Sequence, residues 1–229
     1  MPEHGEEPAA VERAIAVLDP FVSEAKKVRM ASVLARRTAH IRVVLEDIYQ
    51  THNASAAMRS CECFGVQHLH VIEQRYPYSL NPDVDMGSRK WITLHRHREP
   101  GADNRRACVG ELRAAGLRIV ATTPDPAATP LHAFPVDRPL ALCFGTEKDG
   151  LSDALLAVAD ERVRIPMEGF TESFNISVSV ALCLHDLTTR LRNSTVEWQL
   201  PPDEQRRVYL GWLRRAVRHA DSILRRERL

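Results

Sequence analysis

The stretch IRVVLEDIYQTHNASAAMR, residues 41–59, contains the pattern that decides the fold. Residues 41–48 are rich in β-branched and apolar side chains, which predicts a strand, and a helix is predicted to follow from about Ala54 to Phe64. Further apolar runs alternate with helical segments near 103–115 and 175–192. This alternation predicts an α/β domain with a mostly parallel sheet and helices on both faces. The further strands are predicted at VQHLHVIE (66–73), WITLH (91–95), LRIVATT (117–123), LALCFG (140–145) and RVRIPM (162–167).

Helical extensions are predicted on both sides of this domain. We divide the chain into an N-terminal extension, 1–40, a main domain, 41–192, and a C-terminal extension, 193–229. After LPPDE (200–204), one helix is predicted to continue to the end of the chain, with its apolar side chains on one face. Four arginines fall almost in one line on the opposite face, and we call them the arginine stripe: Arg207, Arg214, Arg218 and Arg225.

The arginine stripe has two interpretations. A row of exposed arginines can be no more than a solvated helix face. It can also bind RNA, because arginine pairs bidentately with phosphate oxygens. The formal net charge of +1 does not decide between them, since a total can hide a local basic surface. The stripe is therefore a candidate RNA-binding surface, with a solvated face as the alternative.

The composition is that of a folded protein without disulfide staples. Hydrophobic residues make up 44% of the chain and charged residues 27%. The five cysteines are scattered, mostly within apolar stretches, which is typical of a reducing compartment. No apolar run approaches the roughly 20 residues that span a bilayer. The acidic stretch MPEHGEEPAAVERA lacks the apolar core of a signal peptide. We therefore expect a cytoplasmic protein that binds no membrane.

Polar or glycine-rich sequence follows three of the predicted strands. The segments are HNASAAMR (52–59), FGTEKDGLS (144–152) and IPMEGFTESFN (165–175). In an open α/β sheet, ligands bind at the carboxyl ends of the strands. The sequence therefore predicts one site that is assembled from these three segments.

Several common chemistries lack their motifs. Gly145 and Gly150 have the spacing of a phosphate-binding loop, but Leu151 occupies the position that must be lysine, which argues against an NTPase. The dinucleotide fingerprint GxGxxG is absent, and no GxSxG elbow surrounds Ser152 or Ser173. Nicotinamide-dependent and serine-hydrolase chemistry therefore have no support.

Metal binding is not expected either. Cys61 and Cys63 point to nearly opposite sides of a predicted helix, and no second cysteine pair follows at zinc spacing. The strand histidines come in two pairs, and such pairs more often pack or hydrogen-bond than bind a metal. The pairs are His68 with His70, and His95 with His97.

The three segments together resemble a known family. N-x-S-A-x-x-R at 53–59, F-G-x-E-x-x-G-L-S at 144–152 and I-P-M-x-G-x-x-x-S-F-N at 165–175 are similar to the three motifs of the SPOUT RNA methyltransferases, in the TrmH branch, across roughly residues 30–192. The resemblance implies an α/β domain with a deep trefoil knot and a homodimer. It also implies methyl transfer from S-adenosylmethionine to a ribose 2′-hydroxyl of RNA, with a guanosine in the tRNA D-loop as the expected acceptor.

The resemblance also implies roles for individual residues. The catalytic set would be Asn53, Arg59, Glu147, Ser173 and Asn175. The guanidinium stays protonated, so the arginine would orient the hydroxyl and stabilise alkoxide charge rather than act as a base. Phe174 stands where the family usually has leucine, and it should still form an apolar wall. The cofactor would contact Thr122, Gly145, Ile165, Met167 and Phe174.

Two alternatives stay open at this point. The same reaction could take place on ribosomal RNA, or the fold could serve a non-catalytic RNA-binding protein. Taken singly, Asn53, Ser173 and Asn175 are also ordinary helix caps, and Arg59 an ordinary surface residue. The C-terminal basic helix and the similarity around residues 34–59 favour tRNA. The complete catalytic set favours an active enzyme.

Overall fold

The computed structural model describes residues 7–229, which form two compact units. The α/β unit is Thr38–Trp198. The terminal unit combines the described residues before Thr38 with Gln199–Leu229, so both predicted extensions contribute to it. Residues 1–6 of the predicted N-terminal extension lie outside the described residues. Among residues 7–229, none of the helices is both long and apolar enough to span a membrane.

The helices and strands are labelled in chain order. They are α1 Pro8–Leu18, α2 Glu24–Leu34, β1 Ile41–Glu46, α3 Thr51–Phe64, β2 His68–Ile72, α4 Pro82–Asp85, β3 Thr93–His97, α5 Asn104–Ala114, β4 Arg118–Thr122, β5 Thr129–Pro130, β6 Leu140–Phe144, α6 Asp153–Val158, β7 Glu161–Arg164, α7 Ile176–Arg192, α8 Pro202–Ala216 and α9 Ala220–Arg226.

A parallel sheet forms the centre of the α/β unit. In the described part of the chain it has seven strands in the order β3-β2-β1-β6-β4-β7-β5, and neighbouring strands pair in parallel. Along β1, Val43 and Leu45 face one apolar cluster and Val44 faces the other. Helices α3 and α7 cover the first face, while α5 and α6 cover the second. The predicted α/β class, with helices on both faces of a parallel sheet, is confirmed.

Some local boundaries differ from the prediction. Helix α3 begins at Thr51 rather than Ala54. Strand β3 begins at Thr93, because the residues before it, Ser88–Lys90, form a 3₁₀ turn that Trp91 ends with a helical backbone. Strand β5 has only two residues, which is too short for a periodic pattern. These short elements depend on neighbours in space rather than on local sequence.

Two buried carboxylates fix the loops at the carboxyl end of β1. Asp47 Oδ1 accepts hydrogen bonds from the backbone N–H groups of Gln74 (2.8 Å) and Arg75 (2.6 Å) in the loop after β2. Glu46 accepts from the backbone N–H (2.8 Å) and hydroxyl (2.6 Å) of Ser152, which follows β6. Arg105 pairs with both carboxylates. The ends of two loops are therefore held at one edge of the sheet.

The terminal unit is built on α1, which packs against both α8 and α9. Tyr209 donates its hydroxyl to Asp19 (2.6 Å), and Lys27 pairs with the same carboxylate (2.9 Å). Trp212 is almost fully buried, and the Arg37 guanidinium lies 5.6 Å from the centre of its ring. Segments from the two ends of the chain therefore form one apolar core.

The single C-terminal helix of the prediction is wrong. Helix α8 ends at Ala216, Val217 is extended, and His219 is left-handed (φ 60°) before α9 begins. A straight helix over 202–226 would be about 37 Å long, whereas α1 spans about 16 Å, so only a break lets both halves pack against α1.

The break also disperses the arginine stripe. Arg207 and Arg214 lie on α8, Arg218 lies in the break, and Arg225 lies on α9. Arg214 is half-buried, while the other three arginines are exposed. The expected single line of guanidinium groups therefore does not form.

A histidine cluster lies between β2, β3 and α5. The rings of His70 and His95 stack with centroids 4.1 Å apart. His68 shares a hydrogen bond with His95 (2.9 Å), and His70 shares one with His97 (3.3 Å). Glu111 lies 3.2 Å from His95. Burial lowers the pKa of His70 well below its usual value, and it also lowers the pKa of His97. Burial therefore keeps His70 and His97 uncharged at neutral pH.

We predict that the protein loses stability as the pH falls from 7.5 to 5.5. The folded state keeps His70 and His97 neutral, whereas the unfolded chain takes up protons near pH 6.5, so the unfolded state binds more protons below that pH. Each such histidine costs at most about 1.4 kcal/mol per pH unit. Urea unfolding followed by circular dichroism at several pH values measures this. A His70→Gln variant should show a shallower loss, and wild-type stability that rose toward pH 5.5 would contradict the prediction.

Candidate active site

A cavity of about 430 Å³ opens at the carboxyl ends of β4, β6 and β7. This volume lies in the range of small-molecule sites. Its walls come from the end of β4, the loop after β6 and the segment between β7 and α7. All five residues that the resemblance assigned to the cofactor line it: Thr122, Gly145, Ile165, Met167 and Phe174. The structure brings these residues together, and their contact with a cofactor stays a prediction.

The loop after β6 closes tightly on itself. The backbone groups of Thr146 and Gly150 exchange two hydrogen bonds of 3.0 Å, and Gly150 is left-handed (φ 68°). A Cβ atom on Gly145 would lie 2.0 Å from the carbonyl carbon of Gly150. Such a contact requires the backbone to move, so only glycine fits at position 145 in this loop.

Glu147 projects from this loop into a group of amide donors. Its Oε1 atom accepts hydrogen bonds from the side chains of Asn53 (3.1 Å) and Asn175. It also accepts from the backbone N–H of Ile176 (3.3 Å), in the first turn of α7. Asn175 in turn donates to Asn53 Oδ1 (3.1 Å). We call Asn53, Glu147 and Asn175 the polar cluster.

All three residues of the polar cluster were predicted to be catalytic, and one of them also caps a helix. Asn175 Oδ1 accepts from the backbone N–H of Ser177 (2.9 Å), so this residue also caps α7. A carboxylate at the N-terminus of a helix is favoured by the helix dipole. Gln50, which accepts a hydrogen bond from Asn53, was missed by sequence reasoning, because no motif position marked it. Ser173 lines the neighbouring cavity. Four of the five predicted catalytic residues therefore lie at one place.

Arg59 is the exception. It is exposed on α3 and lines a different surface depression with Ala56, Cys63 and Phe64. At about 100° per residue, a residue six positions after Asn53 points about 120° away around the helix. The same arithmetic applied to the sequence would have separated the two side chains. Within one chain, the structure does not bring Arg59 to the polar cluster.

The cavity also contains a cysteine that cannot act as a nucleophile at neutral pH. Burial raises the pKa of Cys183 to about 12, so its thiol stays protonated. All five cysteines of the chain are free, and only Cys63 is exposed. Cys183 is therefore not available for covalent catalysis at neutral pH.

Two groups in the histidine cluster bring possible metal ligands within 4.8 Å of one another. They are His70, His95 and Glu111, and His70, His97 and Cys108. Sequence analysis did not connect either Glu111 or Cys108 with the strand histidines, because both come from α5. Hydrogen bonds between the histidines give a reason for the burial of these side chains, and the expected absence of a metal stays a prediction.

Comparison with known proteins identifies the family. Residues 40–185 match the sequence profile of the SpoU rRNA Methylase family, which is more than half of the chain. The chain belongs to the SpoU family. The matched range contains all three motifs from which the SPOUT resemblance was drawn, and it ends within α7.

Curated relatives are similar to this chain along most of their length. A tRNA (guanosine(18)-2'-O)-methyltransferase from Borreliella burgdorferi is 40% identical over 211 residues, which cover 92% of this chain and 94% of the relative. A protein of the same name from Thermus thermophilus is 31% identical over 195 residues, which cover 84% of this chain and 98% of the relative.

A solved structure agrees with the fold. The A. aeolicus TrmH/SpoU tRNA modifying enzyme superposes with a TM-score of 0.74 at 25% identity, and the match covers 85% of this chain and 98% of that one. The SpoU α/β fold that the resemblance implied is therefore confirmed. The trefoil knot stays a prediction.

We predict that Gly145→Ala severely weakens cofactor binding. The added Cβ would overlap the Gly150 backbone and open the loop that carries Glu147. Affinity for S-adenosylmethionine, measured by isothermal titration calorimetry, should fall at least about tenfold. Gly169→Ala is the matched control, because its nearest neighbour to a new Cβ lies 4.0 Å away. Wild-type affinity in Gly145→Ala would contradict this account of the loop.

Proposed function

We propose that this protein transfers the methyl group of S-adenosylmethionine to the 2′-hydroxyl of guanosine 18 in tRNA. The observation that carries the proposal is the 40% identity to a relative named for that activity, which extends over 92% of the chain. The cavity beside the polar cluster supports the proposal, because its volume of about 430 Å³ suits a small-molecule donor. Transfer of a labelled methyl group to bulk tRNA, but not to ribosomal RNA, tests it directly.

The residues of the cavity suit this donor. S-adenosylmethionine supplies an electrophilic methyl group on a sulfonium cation. Ile165, Met167 and Phe174 provide an apolar wall beside the main chain of the loop after β6. Glu147 and Glu172 provide negative charge in the same cavity, which favours a cationic ligand. The lining residues therefore match the chemistry of the cofactor.

The remaining difficulty is the acceptor, because a ribose hydroxyl is a poor nucleophile near neutral pH. The chain must hold the hydroxyl in line with the methyl group, and such alignment can supply several kcal/mol. Hydrogen bonds fix the carboxylate of Glu147 and the amides of Asn53 and Asn175 against one another. These fixed groups can orient a ribose without moving during the reaction.

A second copy of the chain would complete the site. Arg59 does not reach the polar cluster of its own chain, but α3 packs against α7, and three large apolar side chains on or next to α7 are exposed at four-residue spacing. These side chains are Phe174, Val178 and Leu182. An exposed apolar face on α7, the helix that packs against the one carrying Arg59, suits a twofold interface. In the homodimer, Arg59 would orient the hydroxyl in the partner's site.

We predict that mixing two inactive variants restores methyl transfer. Arg59→Ala alone should lower turnover by about 100-fold. Gly145→Ala alone should be nearly inactive when it is assayed at a concentration of S-adenosylmethionine far below the weakened Kd of that variant. If Arg59 acts in the partner's site, a dimer that contains one subunit of each variant has one complete site. Random mixing should then recover roughly a quarter of wild-type activity. A mixture that stays inactive, although mass spectrometry shows mixed dimers, would place Arg59 outside this role.

The exposed arginines of the terminal unit would bind tRNA phosphates. Arg207, Arg218 and Arg225 are exposed on or between α8 and α9, so the interpretation as an RNA-binding surface remains although the predicted line does not. Arg214 is half-buried and is the least available of the four.

We also propose that the protein works in the cytoplasm, where its five free thiols would stay reduced.

We predict that Arg207→Glu combined with Arg218→Glu weakens tRNA binding and lowers its salt dependence. Loss of two phosphate contacts should reduce the slope of log K against log salt by about 2. Filter binding at several salt concentrations measures this slope. The control is Arg106→Glu, an exposed arginine on α5 in the α/β unit. An unchanged slope in the double variant would mean that these arginines face solvent and do not contact tRNA phosphates.

Ribosomal RNA is the second candidate substrate. The description of the matched family names ribosomal RNA, which is the observation that favours it. The relatives that this chain matches over 84% or more of its length are named as tRNA enzymes. The labelled-methyl experiment with both RNA classes separates the two substrates.

A further inference from the structure

Two exposed tyrosines meet beside the polar cluster. Tyr49 lies between β1 and α3, and Tyr76 lies in the loop after β2. Their ring centroids are 5.3 Å apart with the rings tilted by 55°. The residues are 51% and 43% exposed, although large aromatic side chains usually bury most of their surface. We call Tyr49, Tyr76 and the neighbouring cation Arg75 the tyrosine platform.

The tyrosine platform adjoins the residues assigned to the reaction. Tyr49 lines a small cavity together with Gln50, Asn53 and Glu147. Two members of the polar cluster therefore share a wall with this ring. An RNA whose ribose reaches the polar cluster must place a nearby base close to the platform.

The platform is held rigidly. Asp47, whose side chain is fully buried, accepts hydrogen bonds from the backbone N–H groups of Arg75 (2.6 Å) and Tyr76 (3.3 Å). Its other oxygen pairs with Arg75 Nε at 3.2 Å. The same carboxylate therefore fixes both the main chain and the cation. A preorganised surface loses little conformational entropy when a ligand binds.

The aromatic ring and the guanidinium plane of the platform suit a nucleobase. The Arg75 guanidinium lies 5.7 Å from the centre of the Tyr76 ring, which gives a cation beside an exposed aromatic face. Single-stranded bases are commonly recognised by stacking on aromatic rings and arginine planes. An aromatic surface with an adjacent cation, at the edge of a site for ribose chemistry, matches that form of recognition.

We infer that the tyrosine platform stacks a nucleobase of the substrate RNA next to the methylated ribose. This inference rests on the proposed function and names the part of the site that positions the RNA. Tyr49 and Tyr76 act here as positioning residues, through the base rather than through the reacting atoms. Stacking is tolerant of base identity, so the platform would contribute affinity and alignment more than selection among bases.

The test compares variants that lose a tyrosine ring with variants that keep an aromatic ring at the same position. Tyr49→Ala and Tyr76→Ala should raise the KM for tRNA by about 5- to 100-fold, in line with the effect of losing one base–aromatic stack. Affinity for S-adenosylmethionine should not change, because neither tyrosine lines the cavity of about 430 Å³. Tyr49→Phe and Tyr76→Phe keep the ring, and they should recover most of the lost affinity for tRNA.

A direct probe is tRNA with 2-aminopurine beside the target guanosine. Stacking should quench its fluorescence on binding to the wild type and to the Phe variants, and this quenching should be lost in the Ala variants. Three results would overturn the inference: an unchanged KM in the Ala variants, equal losses in the Phe and Ala variants, or Ala variants that become monomers. The last result would identify the surface as a subunit contact.

The proposed function fails separately. Wild-type protein that methylated no tRNA would count against the reaction, while the fluorescence of the labelled RNA would still report on the platform.

Discussion

The buried carboxylates at the end of β1 are the constraint on which the site depends. Glu46 and Asp47 are 2% and 1% exposed, and burial of two adjacent carboxylates costs free energy unless hydrogen bonds and counter-charges compensate it. Arg105 and the backbone N–H groups of two loops supply that compensation. The folded state can therefore keep these charges only while the loops after β2 and β6 are in place. The sheet and the loops are fixed as one arrangement.

The loop after β6, which carries Glu147, is fixed at both of its ends. Glu46 binds Ser152 at the far end of the loop after β6, and Gly145 permits the close turn at its start. Between them, Glu147 reaches Asn53 on α3 and Asn175 before α7. Helix α3 then turns Asn53 inward and Arg59 outward. One chain thus forms the whole cavity, while we propose that the outer surface of α3 faces a second copy and that the tyrosine platform faces RNA.

The sequence supports prediction of the sheet and of most of the site, for a physical reason. Buried parallel strands must be apolar on both faces, so each of the longer strands is visible as a short apolar run. Ligands bind where those strands end, so polar segments after strands mark the site. The convergence of the three segments that carry Asn53, Glu147 and Asn175 was predictable on these grounds, whereas the choice of these individual residues came from the family resemblance.

Features that depend on distant partners were not predictable in the same way. The break at Val217–His219 arises because α8 and α9 must both pack on the short helix α1. The amphipathic pattern over 205–229 carries no information about the length of α1. The role of Asp47 depends on backbone groups some thirty residues away. Glu111 meets the strand histidines only once α5 packs on the sheet. The outward position of Arg59, by contrast, was predictable, because helical periodicity alone puts it on a different face of α3 from Asn53.

The most direct test of the account is to locate the methyl group that the protein adds. Unmodified tRNA would be incubated with the wild-type protein and S-adenosylmethionine, digested with ribonuclease and measured by mass spectrometry. The account predicts a single 2′-O-methyl group, on the ribose of guanosine 18. A methyl group on a base, or on the ribose of another nucleotide, would contradict it.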